Sequence, residues 1–254
     1  MKIFYQSFTN RTESAPYYRH LEAYLQKVKR ADTELVLQDL EPHDDYAHAA
    51  MEYRCGYQAM QNARAAEAAG FDAVVFGHFQ DSGLAEAKAL VDIPVLGLGE
   101  ISMLTACQLA QKIALITLNP RFIPFHHDQI RRYGLENRVI GVGALDFQPG
   151  DFTAGFDEPE RIRAAIDALR AQAKPLIAAG AELIIPAGGI PMLACSEVGG
   201  VEVDGVPVLN GLPVLLKSAE MAVELTQLGS YPVSRAGRFF KPPAEVIDSI
   251  LSLS

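Results

Sequence analysis

Short apolar runs alternate along the whole chain with longer stretches of periodically spaced hydrophobic residues. The runs are rich in Val, Ile and Leu, which is typical of buried strands. The stretches between them carry apolar residues at three- and four-residue spacing, which predicts amphipathic helices. This alternation predicts an α/β protein with helix-covered parallel sheets. The predicted strands are residues 2–8, 34–40, 72–77, 94–99, 112–118, 138–145, 182–188 and 207–210.

Two internal repeats relate the first half of the chain to the second. The segments AGFDAVVFGH (69–78) and AGAELIIPAG (179–188) share a helix-ending Ala-Gly, an acidic residue two positions later and an apolar run that ends in small residues. Further along, IPVLGLGEISMLTACQLA (93–110) is similar to VPVLNGLPVLLKSAEMAV (206–223). The order of elements is the same in each half, which indicates two pseudo-equivalent halves.

These repeats predict two pseudo-symmetric domains, each an open parallel sheet. Residues 1–98 together with 208–254 are expected to form a discontinuous first domain, and residues 99–207 a second one. Open α/β sheets bind their ligands at the carboxyl ends of the strands. The active site is therefore expected in the cleft between the two domains.

Composition narrows the class of partner. With 49% hydrophobic residues, the 254-residue chain can bury a full core. The formal net charge is −9 and Lys and Arg are not clustered, so we expect a small-molecule substrate rather than nucleic acid or a membrane. The N-terminal segment has no signal-peptide pattern, so a cytoplasmic location is expected. Cys55, Cys107 and Cys195 have neither disulfide nor zinc spacing and are interpreted as reduced thiols.

An imidazole stands at the end of a predicted buried strand. The sequence GHFQDSGL (77–84) directly follows FDAVVF, which places His78 at the expected cleft. Imidazole has an ordinary pKa of ~6.5 and can take and return a proton near neutral pH. We therefore predict that His78 is the catalytic acid/base group. Asp81 is expected to cap the next helix, because an aspartate at a helix start accepts backbone N–H bonds; the alternative is that it orients the imidazole. Glu100 is expected to bond backbone amides at the edge of the site.

The second repeat has small residues where the first has His78. Ala187, Gly188 and Gly189 end a strand and begin a helix. Their backbone N–H groups either form a tight turn or hold a carboxylate or an oxyanion. Gln80 and Ser82, in the first loop, are further candidate donors.

No pattern in the sequence predicts a metal or another cofactor. His126 and His127 are adjacent in a predicted helix and point about a quarter-turn apart, which does not suit chelation of one ion. One of the two is kept as a candidate second acid/base group. Glycine-rich nucleotide-binding motifs are not found. His20, His43 and His48 lie in polar or helical surface contexts and receive no functional role.

These motifs resemble the aspartate/glutamate/hydantoin racemase superfamily, in particular its hydantoin racemase branch. FDAVVFGHFQDSGL resembles the first motif and AELIIPAGGIPMLA the second, and the similarity runs from KIFYQSF to about AVELTQ. The resemblance implies a cofactor-independent, two-domain α/β enzyme, usually a homo-oligomer. It also implies substrate-binding roles for Ser7, Thr117 and Asn119. The alternatives are a strand-end hydroxyl for Ser7 and helix-capping turn residues for the other two.

The sequence departs from this family at the two positions that move the proton. Relatives use one Cys from each wall, whereas this chain has His78 at the first position and Ala187 or Gly188 at the second. Moving a proton between the two faces of a carbon needs two acid/base groups.

We therefore expect a racemase-like isomerase that acts next to a carboxylate or carbonyl of a small amino-acid derivative, a hydantoin or a related cyclic ureide. One alternative is a hydrolase, decarboxylase or lyase that uses His78 as a single acid/base group. Another is a catalytically inactive small-molecule binding protein.

Overall fold

A computed structural model describes residues 1–41 and 48–251; His43 lies outside these residues. The strands are β1 (Lys2–Gln6), β2 (Glu34–Gln38), β3 (Ala73–Phe76), β4 (Val95–Gly97), β5 (Ile113–Thr117), β6 (Val139–Ala144), β7 (Leu183–Ala187), β8 (Glu202–Val203) and β9 (Val206–Pro207). Parallel pairing gives one sheet with the order β2-β1-β3-β4 and a second with the order β6-β5-β7. The two open parallel sheets confirm the predicted α/β class.

Helices join the strands and cover the sheets. The helices are α1 (Ala15–Val28), α2 (Ala49–Ala68), α3 (Leu84–Leu90), α4 (Leu98–Leu109), α5 (Ile123–Arg132), α6 (Pro149–Ala154), α7 (Pro159–Ala178), α8 (Gly189–Glu197), α9 (Gly211–Gln227) and α10 (Ala244–Leu251). Side chains alternate across the first sheet, so Ile3 and Tyr5 enter one hydrophobic cluster and Phe4 enters another on the opposite face. Among residues 1–41 and 48–251, no helix has both the length and the apolar character needed to cross a membrane.

A carboxylate holds the start of the central strand in both halves. Asp72 Oδ2 accepts the Lys2 N–H at 2.6 Å, and Glu182 Oε2 accepts the Lys112 N–H at 3.2 Å. These are the acidic residues that recur in the two sequence repeats. The repeat therefore reflects one local structure that is used twice.

Strand register identifies the equivalent positions of the two halves. Ile3 of β1 pairs with Ala73 of β3, and Ile113 of β5 pairs with Leu183 of β7. The same number of residues then separates Ala73 from His78 and Leu183 from Gly188. Gly188, rather than Ala187, is therefore the structural counterpart of His78.

The chain crosses between the halves after the last strand of each one. Helix α4 follows β4 but packs against β7, whereas α9 follows β9 and packs against β3 and β4. The predicted strand 207–210 is shorter in the structure, because Val206–Pro207 pairs with Glu202–Val203 and only Val208 forms a parallel bridge, to Ile184. The crossing agrees with a discontinuous first domain, and the boundaries at 98/99 and 207/208 stay a prediction.

Candidate active site

The first wall of the cleft is the loop that follows β3. The Gly77 N–H donates to Gln6 O at 2.8 Å, which keeps the chain in line with the sheet beyond the end of the strand. A Cβ on Gly77 would lie 2.2 Å from the Tyr5 hydroxyl oxygen, so glycine is required for the chain to pass here. The next residue, His78, is thereby placed at the carboxyl end of a central strand.

Glu52 binds the imidazole of His78. Glu52 lies in the first turn of α2, and its two carboxylate oxygens are 3.0 and 2.8 Å from His78 Nε2. Ser82 Oγ donates to the same carboxylate, and the Phe8 ring stacks on the imidazole with 4.3 Å between centroids and 8° between planes. The carboxylate and the stacked ring together restrict the imidazole to one orientation.

The charge of Glu52 is maintained by its partners. Glu52 is 5% exposed, and this burial opposes ionisation. The charge and the hydrogen bond of His78, together with the hydrogen bond from Ser82, outweigh the burial and lower the pKa of Glu52. An ionised carboxylate only accepts hydrogen bonds, so it favours a hydrogen on His78 Nε2 and leaves Nδ1 as the basic nitrogen of the neutral ring.

A cavity of about 70 Å³ lies between the loop after β3 and the loop after β7. Tyr17 of α1 and Thr153 of α6 also line it. His78 is one of the residues that line this cavity. The predicted site residues that the structure brings together around it are Ser7, His78, Gln80, Ala187, Gly188 and Gly189.

The second wall is the beginning of α8. The Gly188 N–H donates to Pro186 O at 2.9 Å, so this amide is already bonded within the turn. The Gly189 and Ile190 N–H groups have no acceptor among the residues that the structure describes. Amides at a helix start carry partial positive charge and bind anions. The candidate anion donors are thus Gly189 and Ile190, which corrects the prediction for the Gly188 N–H.

Ser7 and Gln80 present polar groups next to the cavity. Ser7 Oγ lies 2.9 Å from Thr9 Oγ1, and both residues line the cavity. Gln80 is 8% exposed, and in the described part of the chain its side-chain amide has no hydrogen-bond partner. Buried amides are normally hydrogen-bonded, so this arrangement fits a group that faces a ligand.

The structure does not bring Thr117 and Asn119 to the cavity. Thr117 Oγ1 lies 3.0 Å from His126 Nε2. Asn119 Oδ1 accepts the Arg121 N–H at 3.0 Å and its Nδ2 donates to Phe147 O at 3.1 Å, so Asn119 caps the short 3-10 helix that follows it. The capping alternative describes Asn119, and the contacts of both residues give no support to substrate binding.

His126 belongs to a buried polar network. Burial lowers the pKa of His126 to about 4, so its ring is neutral at physiological pH. Its Nδ1 lies 3.3 Å from Gln129 Oε1, and Gln129 Nε2 donates to Asp81 Oδ2 at 2.8 Å. These bonds connect the second half to the first and leave His126 outside the cavity lining. His127 is exposed, so neither histidine supplies the second acid/base group considered for this pair.

Asp81 caps a different helix from the one predicted. Its Oδ1 accepts the Gly99 N–H at 3.1 Å and its Oδ2 accepts the Glu100 N–H at 2.7 Å, so it caps α4 instead of α3. These bonds also explain why the predicted strand 94–99 ends early and residues 98–99 are helical.

Glu100, expected to bond amides, instead pairs with Lys88 at 2.6 Å. Burial raises the pKa of Asp81 to about 6.

Sequence reasoning missed Glu52 and Tyr17. Glu52 shares its buried helix face with Cys55 and Ala59, and a carboxylate at a position of the apolar stripe was the available signal. Tyr17 has no such signal, because an aromatic residue in a helix usually packs in the core. In the described ranges, no group of three His, Cys, Asp or Glu side chains is placed to hold a metal ion.

The fold and the site define an α/β protein with an imidazole–carboxylate pair in a cleft between two pseudo-symmetric sheets. The sequence model of the Asp/Glu/Hydantoin racemase family matches residues 11–219. The chain therefore belongs to the Asp/Glu/hydantoin racemase family, and the resemblance seen in its motifs is confirmed.

Two curated relatives are hydantoin racemases. The chain is 31% identical over 164 residues to the enzyme of Pseudomonas sp. (strain NS671), a match covering 63% of this chain and 61% of the relative. It is 30% identical over 162 residues to the enzyme of Rhizobium meliloti, covering 62% of each. The matched region thus spans about three-fifths of the length of these relatives.

Solved structures share the fold over almost the whole chain. Allantoin racemase from Klebsiella pneumoniae superposes with a TM-score of 0.75 at 21% identity, covering 96% of this chain and 94% of that one. Allantoin racemase from Pseudomonas fluorescens superposes with a TM-score of 0.74 at 20% identity, covering 95% of this chain and 97% of that one. At these identities the likeness establishes the two-sheet architecture.

Proposed function

We propose that this protein is a cofactor-independent, racemase-like isomerase that moves a proton at a carbon next to a carbonyl or carboxylate. Its substrate would be a small amino-acid derivative, a hydantoin or a related cyclic ureide. The observation that carries the proposal is His78, bound by buried Glu52 at 2.8 Å, which lines the same small cavity as the start of α8. Family membership and the hydantoin racemase relatives support the substrate class.

His78 is the acid/base group in this proposal. Glu52 holds its Nε2, so the neutral ring abstracts the substrate proton with Nδ1. The imidazolium that forms is stabilised by the adjacent carboxylate, because opposite charges attract strongly in a buried site. Phe8 fixes the plane of the ring, which keeps the reacting nitrogen in place between turnovers.

The start of α8 holds the negative charge that develops on the substrate. Loss of the proton places an electron pair on the neighbouring carbonyl, which becomes an enolate. The Gly189 and Ile190 N–H groups are free to donate to that oxygen, and a helix N-terminus favours an anion. Gln80 and Ser7 supply further hydrogen bonds to the polar edge of the substrate in this proposal.

A second candidate function follows from Gly188. The counterpart of His78 has no side chain, so the second wall offers no acid/base group from the position at which relatives carry one. Decarboxylation, elimination or hydrolysis each need only one such group. These reactions are therefore the alternative in the same cleft, and a catalytically inactive binding protein is the alternative outside catalysis.

Deuterium labelling distinguishes these functions. Each enantiomer of a 5-substituted hydantoin, of allantoin and of aspartate and glutamate is incubated in deuterium oxide with and without the protein. An isomerase introduces deuterium at the stereocentre and interconverts the enantiomers, whereas a hydrolase, lyase or decarboxylase gives a product of different mass. A binding protein raises the thermal midpoint without turnover.

Replacing His78 tests the central residue. His78→Asn is expected to lower turnover at least about 10³-fold, because the amide cannot accept and return a proton. The matched control is His127→Asn, at an exposed helical position. Full turnover by the His78 variant would contradict the proposal, provided that its circular dichroism spectrum matches that of the unchanged protein.

Cofactor independence, a homo-oligomeric state and a cytoplasmic location belong to the same proposal. The sequence has no nucleotide motif, and relatives of this type are usually oligomers. We expect turnover to be unchanged after dialysis against a chelator, since the proposed chemistry uses only side chains and amides. Loss of activity that a divalent metal restores would contradict this. Size-exclusion chromatography with light scattering measures the oligomeric state.

A further inference from the structure

Tyr17 places a phenol hydroxyl where the two walls of the cleft meet. Tyr17 lies in the first turn of α1, is 2% exposed, and packs its ring edge against Phe156 with centroids 5.5 Å apart. A Cβ on Gly189 would lie 3.1 Å from the Tyr17 hydroxyl oxygen and 3.1 Å from Gly77 O. The hydroxyl therefore lies beside the start of α8, close to the point where the loop that carries His78 approaches it, and Tyr17 lines the same cavity as His78.

The Tyr17 hydroxyl has no hydrogen-bond partner among the residues that the structure describes. The Tyr133 hydroxyl bonds Asp81 at 2.7 Å and the Tyr24 hydroxyl bonds Asn210 at 3.2 Å. The buried hydroxyls of Tyr5 and Tyr18 also have no partner in the described part of the chain, but neither residue lines the cavity, whereas Tyr17 does. Buried tyrosine hydroxyls usually have a partner. A group in the cavity is the partner that remains for Tyr17.

The space for this hydroxyl depends on glycine in the second wall. At Gly189 the absence of a side chain lets the phenol reach the start of α8. At Gly188 the thiol that relatives carry is missing, and a Cβ there would meet only Pro191, whereas the Tyr17 hydroxyl lies at the next residue, Gly189. The Tyr17 hydroxyl is therefore a proton donor beside the second wall, although it belongs to α1 and not to the loop after β7.

We propose that Tyr17 is the second acid/base group of this site and exchanges a proton with the face of the substrate opposite to His78. This inference rests on the proposed function and names the residue that replaces the second thiol. Burial raises the pKa of Tyr17 well above its ordinary value, so the resting phenol is protonated and ready to donate.

The proton steps balance as follows. His78 Nδ1 accepts the proton from the substrate carbon, and the electron pair of the broken C–H bond passes to the adjacent carbonyl to give an enolate. The enolate carbon then takes the proton of the Tyr17 hydroxyl on its other face, which restores the carbonyl and leaves a phenolate. The imidazolium releases its proton to water and the phenolate takes one from water, so no oxidant or reductant is needed.

Tyr17→Phe separates proton exchange from inversion. The variant keeps the ring against Phe156 and removes only the hydroxyl. With one enantiomer of a 5-substituted hydantoin in deuterium oxide, we expect His78 still to exchange the proton with retention, within about 10-fold of the unchanged protein. Conversion to the other enantiomer is expected to fall at least about 10²-fold. Tyr24→Phe, on the same helix but outside the cavity lining, is the control that keeps both rates.

The outcomes are distinguishable. Inversion by Tyr17→Phe within about 3-fold of the unchanged protein, less than the loss of an acid/base group causes, overturns the role of Tyr17 and leaves the proposed function intact. A parallel loss of exchange and inversion indicates a structural role and also overturns it. Absence of exchange by the unchanged protein on the whole panel overturns the proposed function itself. If Tyr17→Phe does not fold, Tyr17→Met also removes the hydroxyl while filling the space with a flexible apolar side chain, and unchanged inversion by that variant overturns the role.

Discussion

Glu52 holds the imidazole of a loop histidine, His78, in a defined orientation. A partly buried imidazole without a partner samples several orientations and both tautomers. Here the carboxylate holds Nε2 at 2.8 Å and Phe8 restrains the plane of the ring, so one nitrogen is left for the substrate. In the proposed mechanism Glu52 is a positioning residue, because it acts through His78.

Glu52→Gln is expected to lower kcat by at least about 10²-fold with little change in KM. The amide keeps a hydrogen-bond acceptor at Nε2 but loses the negative charge that stabilises the imidazolium. Glu160→Gln, which alters an exposed pair with Arg163, is the control. Steady-state kinetics on the active substrate measures both constants. A rise in KM at constant kcat would show that Glu52 acts on binding instead.

Close packing against β1 restricts the chain at the end of β3. The Tyr5 hydroxyl lies under Gly77, where a side chain has no room. Asp81 then caps α4 from the same loop, so the loop that carries His78 is fixed at both ends. This explains how a loop residue keeps the precision that proton transfer demands.

Gly77→Ala is expected to destabilise the protein by about 1–3 kcal/mol, because the added methyl group forces β3 away from Tyr5. Turnover should fall as well, since His78 is the next residue. Gly237→Ala is the matched control, because nothing lies within 4 Å of its added Cβ and its φ is not in the left-handed region. Urea unfolding followed by circular dichroism gives both free energies, and equal values for the two variants would refute this packing account.

A buried polar network connects the two halves of the molecule. Asp81 of the first half and His126 of the second are both bonded to Gln129. Burial raises the pKa of Asp81 to about 6 and lowers the pKa of His126 to about 4. Both groups are neutral in the folded protein between these values, whereas both are charged in the unfolded chain.

The two groups are expected to change stability with pH in opposite directions. Between pH ~4 and ~6, folded Asp81 holds a proton that the unfolded chain has lost, so its contribution falls by about 3 kcal/mol as pH rises. Between ~4 and ~6.5, unfolded His126 holds a proton that the folded protein lacks, so its contribution rises by about 3 kcal/mol. Urea unfolding from pH 4 to 7 measures the sum, in which the two contributions nearly cancel.

Single variants separate the contributions of Asp81 and His126 to the pH dependence of stability. Asp81→Asn is expected to become more stable relative to the unchanged protein as pH rises, and His126→Gln less stable. Parallel pH curves for all three proteins would contradict the assigned shifts. Gln129 is bonded to both groups, so the two substitutions are expected to interact. The double variant Asp81→Asn/His126→Gln shows whether their changes in the free energy of unfolding add.

Sequence patterns were enough to predict the α/β class, the family and the position of His78 at the end of a buried strand. Periodicity encodes which faces are buried, and the repeat of a strand-capping carboxylate at Asp72 and Glu182 encodes two equivalent halves. The same local rules placed His78 and the α8 glycines at strand ends that share a cleft. These features are local, so short stretches of sequence are enough to predict them.

The contacts between distant side chains could not be predicted from these patterns. Glu52 comes from a helix 26 residues before His78, and Tyr17 comes from a helix beside the other wall. Asp81 was expected to cap α3 but caps α4, and Thr117 was expected at the cavity but bonds His126. Each of these contacts joins segments distant in sequence, and their relative placement follows from packing across both sheets, which local patterns do not contain.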